Sequence, residues 1–227
     1  MKAKRLVAVL TAVSLMAGLC GMAEPNADQK IKLEQNSTST PALGGKLLYD
    51  GYTLQWADDF NGSELNRGDW NIELHAPGWV NNELQAYVDS PENIYLENGS
   101  LVIKPIEQKN PDGTVSYTSG RVNTQNKHDF KYGIFEARIK VPEGQGFLPA
   151  FWMMPTNENL YGQWPRCGEI DIMEVLGNDT DKSYGTIHYG NPHSESQGSY
   201  QLTAGSFSEE YHNFAVEWEP GRISWYV

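Results

Sequence analysis

Three acidic residues are crowded into the apolar part, residues 169–176, of the segment "GEIDIMEVLGND". Glu169, Asp171 and Glu174 are interspersed there with Ile, Met and Val side chains. Neighbouring carboxylates can perform acid–base chemistry, because one can act while ionised and another, with a raised pKa, can donate a proton. On spacing alone, a solvated strand face and a cation site stay open as alternatives.

The gaps between the three acids are unequal. Side chains on a β-strand alternate faces, so Glu169 and Asp171 share one face and strict alternation would turn Glu174 into the core. A buried unpaired carboxylate is costly, and one extra residue around Ile172 and Met173 would return Glu174 to the face of the other acids. The spacing therefore predicts a β-bulge. Two Glu carboxyl groups about 5–6 Å apart would then suit a retaining glycosidase.

The elements around this segment show the period-two alternation of half-buried strands. In residues 133–141, "GIFEARIKV", the apolar side chains share one face and the charged ones share the other. Residues 213–227 repeat the pattern on both sides of Pro220-Gly221, which predicts a hairpin. Because the chain shows no long amphipathic helix and no internal repeat, the sequence predicts an all-β sandwich or jelly roll.

Residues 1–23 have the pattern of a secretory signal peptide. Three basic residues precede a run of 14 residues without a charge, which is too short to span a bilayer. Small residues favour cleavage after Ala23 over lipidation of Cys20, so we expect a secreted protein. Residues 24–45 are polar and aperiodic, which predicts a linker, and residues 46–227 form the predicted folded domain.

The charge of the chain excludes one class of partner. Removal of residues 1–23 leaves 14 Lys and Arg against 29 Asp and Glu, a formal net charge of −15. Such a surface repels phosphate backbones, so we expect no nucleic acid partner and favour neutral ligands or cations. With Cys20 removed, Cys167 is the remaining cysteine and no internal disulfide can form. We expect a monomer without a stable membrane span.

These segments resemble glycoside hydrolase family 16. "GEIDIMEVLGND" is similar to the bulged E-x-D-x-x-E signature of its laminarinase-like endo-β-1,3-glucanases. The segments "LQWADDFNG", "GWVNNELQAYV", "SGRVNTQNKHDFKYGIFEARIKVPEGQGFLPAFWMMP" and "GTIHYG" resemble further strands of the family, so the likeness covers most of residues 46–227. It implies a concanavalin A-like β-jelly roll of two antiparallel sheets, whose concave cleft holds a sugar chain.

The resemblance also implies roles for the acids. Glu169 corresponds to the nucleophile, Asp171 to the assisting acid and Glu174 to the general acid/base of a retaining double displacement, which requires no cofactor. The family has further C-terminal strands, whereas an alternating strand is still running at Val227. The catalytic domain is therefore expected to lack its last strands.

The residues expected to bind sugar are aromatic or polar, and the resemblance supports their place at the cleft: Trp152, Trp164, His188, Asn82, Glu83 and Arg121. Aromatic rings stack on the C–H faces of sugars, although core packing is the alternative for a Trp and an ion pair with an acid is the alternative for Arg121. His188 falls opposite Glu169 if the hairpin turns near Asp179. The tryptophans on alternating apolar faces or beside turns are assigned to the core: Trp56, Trp70, Trp218 and Trp225.

Asp59 and Gly62 are candidate ligands of a structural calcium ion. Oxygen ligands from a loop suit this hard cation, and the resemblance places a calcium site in this region and the C-terminal strand. With that strand absent from the chain, the site would be incomplete.

The leading function is hydrolysis of β-1,3 linkages in laminarin-type β-glucan, although family relatives also cut mixed-linkage glucan or galactan. The bulged acid motif disfavours the lichenase-like branch of the family, whose signature is the shorter E-x-D-x-E. A non-catalytic carbohydrate-binding jelly roll, with the acids holding calcium, is the alternative from another class. A thiol hydrolase centred on Cys167 is the weakest hypothesis, because no Cys-His-Asn pattern supports it and a packed thiol explains the residue.

Overall fold

A computed structural model describes residues 4–8, 12–15, 33–34, 49 and 51–227. Within the expected signal peptide and linker it describes only the backbone of three short strands, β1 (Lys4–Ala8), β2 (Ala12–Leu15) and β3 (Leu33–Glu34). Cys20 and the cleavage site lie outside the described residues, so the signal peptide, the linker and the domain bounds stay predictions. No helix in the described part of the chain is long and apolar enough to cross a membrane.

The regular secondary structure of residues 51–227 consists almost entirely of strands. They are β4 (Tyr52–Trp56), β5 (Asn71–Ile72), β6 (Gln85–Tyr87), β7 (Ile94–Glu97), β8 (Ser100–Ile103), β9 (Ile106–Lys109), β10 (Val115–Ser119), β11 (Val122–Asn123), β12 (Gly133–Ile139), β13 (Phe147–Met153), β14 (Glu169–Val175), β15 (Lys182–Tyr189), β16 (Ser194–Gln201), β17 (His212–Glu219) and β18 (Arg222–Tyr226). One 3₁₀ turn, Glu158–Leu160, precedes β14.

Two sheets form the body of the molecule. The first has the strand order β3-β18-β17-β12-β1-β4, and the second has the order β16-β15-β14-β13-β2. Neighbours from β12 to β18 pair antiparallel, whereas β1 pairs parallel with β4 and β12. Smaller sheets, β6-β10-β9, β11-β5 and β7-β8, complete the described structure. The predicted all-β sandwich is confirmed.

The main core contains buried residues of both sheets. Phe135, Ala137 and Ile139 of β12 belong to one hydrophobic cluster with Phe151 of β13 and Met173 of β14. Strand β12 contributes alternate residues, as the period-two pattern requires. The apolar face predicted for residues 133–141 is confirmed.

The opposite face of β12 is less exposed to solvent than its charged residues suggest. Glu136 is buried, and Tyr49 donates its hydroxyl to the Glu136 carboxylate. Tyr52, Leu54 and Tyr226 belong to a small apolar cluster on that side. Burial raises the pKa of Glu136. A sequence pattern shows which face a charge occupies, but not what covers it.

The predicted hairpin near the C-terminal end is confirmed. Strands β17 and β18 pair antiparallel up to Glu219 and Arg222, which leaves Pro220-Gly221 as the turn. Gly221 has a φ of +79°, a left-handed conformation that glycine adopts without steric cost. The tryptophans assigned to the core pack in the core clusters: Trp70 and Trp225 are buried, and Trp56 and Trp218 lie partly buried.

Trp225 of β18 makes an unusually close approach to the second sheet. Its indole N–H donates to the backbone carbonyl of Asp171 at 2.7 Å. A Cβ atom on Gly185 would lie 2.5 Å from Trp225 Cδ1 and 2.6 Å from Nε1. Gly185 therefore provides the space in which the indole crosses from one sheet to the other.

Substitution Gly185→Ala should destabilise the fold, because the added methyl group overlaps a ring held in a close-packed core. The expected loss in the free energy of unfolding is about 1–3 kcal/mol, which lowers Tm by about 2–4 °C per kcal/mol. Calorimetry measures it, with Ser199→Ala on the exposed face of β16 as a control. An unchanged Tm would show that Trp225 moves freely.

Candidate active site

Strand β14 carries the predicted bulge. Asp171 pairs with Thr186 and Glu174 pairs with Tyr184, so three steps along β14 correspond to two steps along β15. The same irregularity interrupts the pairing of β14 with β13. Ile172 and Met173 occupy the extra position and both are buried. The bulge predicted from the unequal gaps is confirmed.

The bulge places all three acids on one face of the sheet. Glu169, Asp171 and Glu174 pair with His188, Thr186 and Tyr184, which are alternate residues of β15 and therefore share a face. The position of His188 opposite Glu169 confirms the expected hairpin register. On the other side of β14, Trp152 pairs with Asp171. The structure thus brings Trp152 and His188 to the acids.

The two glutamates hold their protons unusually tightly. Burial, followed by repulsion from the charge of Asp171, raises the pKa of Glu169 to about 7. The same two causes, with a further contribution from Glu169, raise the pKa of Glu174 to about 8. Carboxylates that repel one another on a dry face titrate as a coupled group. Proton donation near neutral pH is therefore available from this site.

Asp171 is the charged centre of the group. Its side chain is buried, with 4% exposure of the residue, and its Oδ2 lies 3.1 Å from His188 Nε2. Burial alone would lower the pKa of His188, but Asp171, Glu169 and Glu195 together raise it above its usual value. A protonated His188 offsets part of the negative charge of the acids.

Trp164 approaches the acids from the loop before β14. Its indole N–H donates to Glu169 Oε2, and this bond lowers the pKa of Glu169 against the larger effect of burial. The residue is 47% exposed, so one edge of the indole binds the acid while much of the side chain faces solvent. An exposed indole beside a carboxylate offers a stacking surface for a ring-shaped ligand.

A second polar and aromatic group centres on Arg121. The guanidinium carbon lies 4.5, 5.1 and 5.7 Å from the ring centroids of Trp152, Trp79 and Tyr87. Arg121 Nε lies 2.9 Å from Glu73 Oε2, so the ion pair considered as the alternative for this residue is present. Since Trp152 neighbours Asp171 across the ladder, this group adjoins the acids.

Glu73 anchors the group. Burial would raise the pKa of Glu73, but Arg121 and hydrogen bonds from Asn123 and His75 hold it below its usual value. His75 in turn stacks on Trp79, with ring centroids 3.4 Å apart. The indole of Trp79 thus contacts both an imidazole and a guanidinium, while 46% of the residue stays exposed.

Asn82 and Glu83 occupy different environments although they are adjacent. Asn81 and Asn82 have φ values of 50° and 54°, and the N–H of Glu83 donates to the carbonyl of Val80. This is the left-handed tight turn that Asn favours. Asn82 is exposed at the turn, whereas Glu83 is 5% exposed. Burial raises the pKa of Glu83, opposed by a hydrogen bond with Tyr87.

Several residues of the site carried no separate signal in the sequence. Glu73, His75 and Asn123 come from short strands or loops that no motif links to the acids, and a local pattern cannot show that Arg121 gathers them. Trp79 lies inside the segment "GWVNNELQAYV", where a tryptophan next to an Asn-Asn turn is a usable sign of an exposed aromatic. His193 and Glu195 lie just after the strand of His188, and no motif marks them as neighbours of the acids.

The remaining candidates have other surroundings. Asp59 is exposed, and Asp58 accepts hydrogen bonds from Trp70 Nε1 and the N–H of Phe60. Asp59 does not belong to a cluster of three or more His, Cys, Asp or Glu ligand atoms in the described part of the chain. Calcium binding there stays a prediction.

Cys167 is a buried free thiol, and burial raises the pKa of its thiol group. This environment suits a packed side chain better than a nucleophile.

Comparison with known proteins decides the family. Residues 78–227 match the family model described as "Glycosyl hydrolases family 16". The chain belongs to glycosyl hydrolase family 16. With this membership, and with a structural likeness to the laminarinase catalytic domain from Thermotoga maritima MSB8, the predicted jelly roll is confirmed. That likeness has a TM-score of 0.68 and 40% identity, and it covers 77% of this chain and 73% of the other.

Two curated relatives carry glucanase names. The family 16 chain is 36% identical to "Glucan endo-1,3-beta-glucosidase A1" of Niallia circulans over 220 residues, which are 89% of this chain and 31% of the relative. It is 39% identical to "Glucan endo-1,3-beta-glucosidase" of Cryptopygus antarcticus over 185 residues, 78% of this chain and 67% of the relative. The chain thus spans about a third of the first relative and about two thirds of the second.

Substitution Glu174→Gln should stabilise this family 16 domain more as pH rises. Because the folded-state pKa of Glu174 is raised to about 8, its contribution to stability is complete below the unfolded pKa, near 4.5, and is lost as pH rises through about 8. The amide that replaces the carboxyl group does not ionise, so the Glu174→Gln variant does not lose this stability as pH rises. At pH 9 the variant should gain roughly 2–4 kcal/mol over wild type, and at pH 4 almost nothing.

Thermal unfolding of both proteins at pH 4 and pH 9 measures this difference. Glu107→Gln on β9, where the side chain is exposed, serves as the control and should show an equal difference at both pH values. A Glu174→Gln variant whose Tm relative to wild type is independent of pH would contradict the raised pKa.

Proposed function

We propose that the chain is an endo-acting glycoside hydrolase that cleaves β-1,3 linkages of β-glucan with retention of anomeric configuration. The observation that carries this proposal is the bulge in β14, which places Glu169, Asp171 and Glu174 on one face. Family membership and the names of the relatives support the substrate class. A neutral glucan also suits an acidic protein, because it has no charge to be repelled.

In the first step Glu169 attacks the anomeric carbon. The Glu169 carboxylate forms a bond to that carbon while the bond to the glycosidic oxygen breaks, and Glu174 gives its proton to the departing oxygen. Burial and the charge of Asp171 keep Glu174 protonated until this moment. The indole N–H of Trp164 supports the ionised form of Glu169.

In the second step Glu174 acts as a base. Now ionised, it takes a proton from a water molecule whose oxygen attacks the anomeric carbon, and the bond to Glu169 breaks. Two inversions give net retention. When Glu169 is esterified its negative charge is gone, so the pKa of Glu174 falls relative to the free enzyme, which assists its change of role.

Asp171 and His188 set the charge balance of both steps. The negative charge of Asp171 keeps Glu174 protonated, and the contact of Asp171 Oδ2 with His188 Nε2 fixes both side chains. Asp171 therefore assists through the field and geometry that it imposes on the two glutamates, as expected for the assisting acid.

The aromatic surfaces on the acid-bearing face provide a binding track for the sugar chain. Trp164 is exposed beside Glu169, and Trp79 is exposed beside the Arg121 group. Sugar rings stack on such surfaces while their hydroxyls bond to polar neighbours, for which Arg121 and Glu83 are candidates. Trp152 connects the two regions through Asp171 on one side and Arg121 on the other. The signal-like residues 1–23 support an extracellular location for this activity.

Substitution Glu169→Gln should abolish hydrolysis, because an amide cannot form the glycosyl ester. The rate of reducing-sugar release from laminarin should fall by about 10³-fold or more, while the Tm is retained or raised. Cys167→Ala should keep activity and excludes a thiol nucleophile. Glucan binding without new reducing ends in the wild-type chain would instead indicate a carbohydrate-binding module.

The pH dependence of kcat/KM should be a narrow bell. Activity requires Glu169 ionised and Glu174 protonated, so the rate should fall below a pH of about 7 and above about 8, the values to which their pKa values are raised. Initial rates on laminarin across pH 4–10 measure both limbs, which belong to the coupled group rather than to single residues. A flat profile from pH 5 to 9 would contradict this assignment.

A further inference from the structure

We propose that His188, His193 and Glu195 form a transition-metal site at the end of the β15–β16 hairpin. His188 and Glu195 are directly opposite each other in the antiparallel ladder. His193 ends the turn before β16, and its side chain lies beside those of His188 and Glu195. Among the described residues, this is the one group of three or more His, Cys, Asp or Glu ligand atoms that lie within 4.8 Å of one another.

The distances between the three ligand atoms match a tetrahedral ion. His188 Nδ1 lies 3.1 Å from His193 Nε2 and 3.4 Å from Glu195 Oε2, and His193 Nε2 lies 4.0 Å from Glu195 Oε2. Bonds of about 2.0–2.1 Å in tetrahedral geometry require edges of about 3.3 Å. The longest edge joins two exposed side chains, which are free to adjust. Three protein ligands leave the fourth position to water.

Asp171 contacts the other ring nitrogen of His188. His188 Nε2 lies 3.1 Å from Asp171 Oδ2 in an ion-pair contact, while His188 Nδ1 lies 3.1 Å from His193 Nε2 and 3.4 Å from Glu195 Oε2. A histidine that binds metal through one nitrogen and a carboxylate through the other is the usual second-sphere arrangement of zinc sites. This orientation distinguishes the group from a chance surface cluster.

The ligand types select the class of ion. Two imidazoles and one carboxylate suit zinc, cobalt, nickel or copper, whereas calcium and magnesium require oxygen ligands throughout. The site is therefore chemically separate from the candidate calcium ligands Asp59 and Gly62.

The site adjoins the candidate active site. The ring centroid of Trp164 lies 5.0 Å from that of His193 and 6.0 Å from that of His188, and the Trp164 indole donates to Glu169. A cation bound there adds positive charge next to Asp171 and restrains His188. Occupation of the site should then lower hydrolysis, a consequence that rests on the proposed function.

Zinc titration of the chelator-treated chain by calorimetry tests the site itself. Wild type should bind one Zn²⁺, His193→Ala should bind roughly 100-fold more weakly, and Asp171→Asn should bind about 10–100-fold more weakly through loss of the charged second-sphere contact. The exposed control Glu107→Gln should bind as wild type. Circular dichroism confirms that each variant is folded. Equal affinity of wild type and His193→Ala would overturn the proposal.

Cobalt provides a geometric readout that does not depend on activity. One equivalent of Co²⁺ should give the strong visible absorption of a tetrahedral ion in wild type and lose it in His193→Ala. Weak octahedral bands, or bands unchanged by the substitution, would refute the assigned ligands.

The effect on hydrolysis is measured separately on laminarin. One equivalent of Zn²⁺ should inhibit wild type but leave His193→Ala unaffected, and a chelator should restore the rate. Equal inhibition of both proteins would refute the coupling. If wild type shows no hydrolysis without metal, the proposed function fails, while the titration and the cobalt spectrum still decide the metal site.

Discussion

One extra residue in β14 reconciles two requirements that a regular strand cannot meet together. The central strand of a sandwich must send apolar side chains into the core, whereas the chemistry needs three carboxylates on the open face. The bulge at Ile172 and Met173 buries both residues and rotates Glu174 back toward Glu169 and Asp171. Core packing and the arrangement of the acids therefore depend on the same local irregularity.

Crowded carboxylates carry an electrostatic cost that the rest of the site only partly offsets. His188 contacts Asp171, and Trp164 donates to Glu169, but Glu174 is deep enough that burial dominates its pKa. The cost is localised where catalysis needs it, because a glutamic acid that stays protonated near neutral pH can donate a proton to a poor leaving group. At high pH, where Glu174 ionises, the fold is therefore less stable, and near neutral pH Glu174 keeps the proton that catalysis uses.

Local patterns predicted the parts of this molecule that are encoded locally. The alternation in residues 133–141 and 213–227, the bulge and the register of His188 against Glu169 all follow from side-chain periodicity and turn position. The group around Arg121 does not, because Glu73, Trp79 and Arg121 lie in separate segments that only the tertiary fold brings together. Burial of Glu136 escaped prediction for the same reason, since its partner Tyr49 is 87 positions away.

The hydrogen bond between Trp225 and Asp171 has a consequence for how the protein unfolds. It joins the acid-bearing strand to the opposite sheet at the point where the ladder is interrupted, and its partners are 54 positions apart in the chain. The strand that carries the acids therefore cannot unfold locally while the opposite sheet stays folded. On heating, the ability to turn over substrate and the integrity of the whole sandwich should disappear at one common temperature, without a folded but inactive state between them.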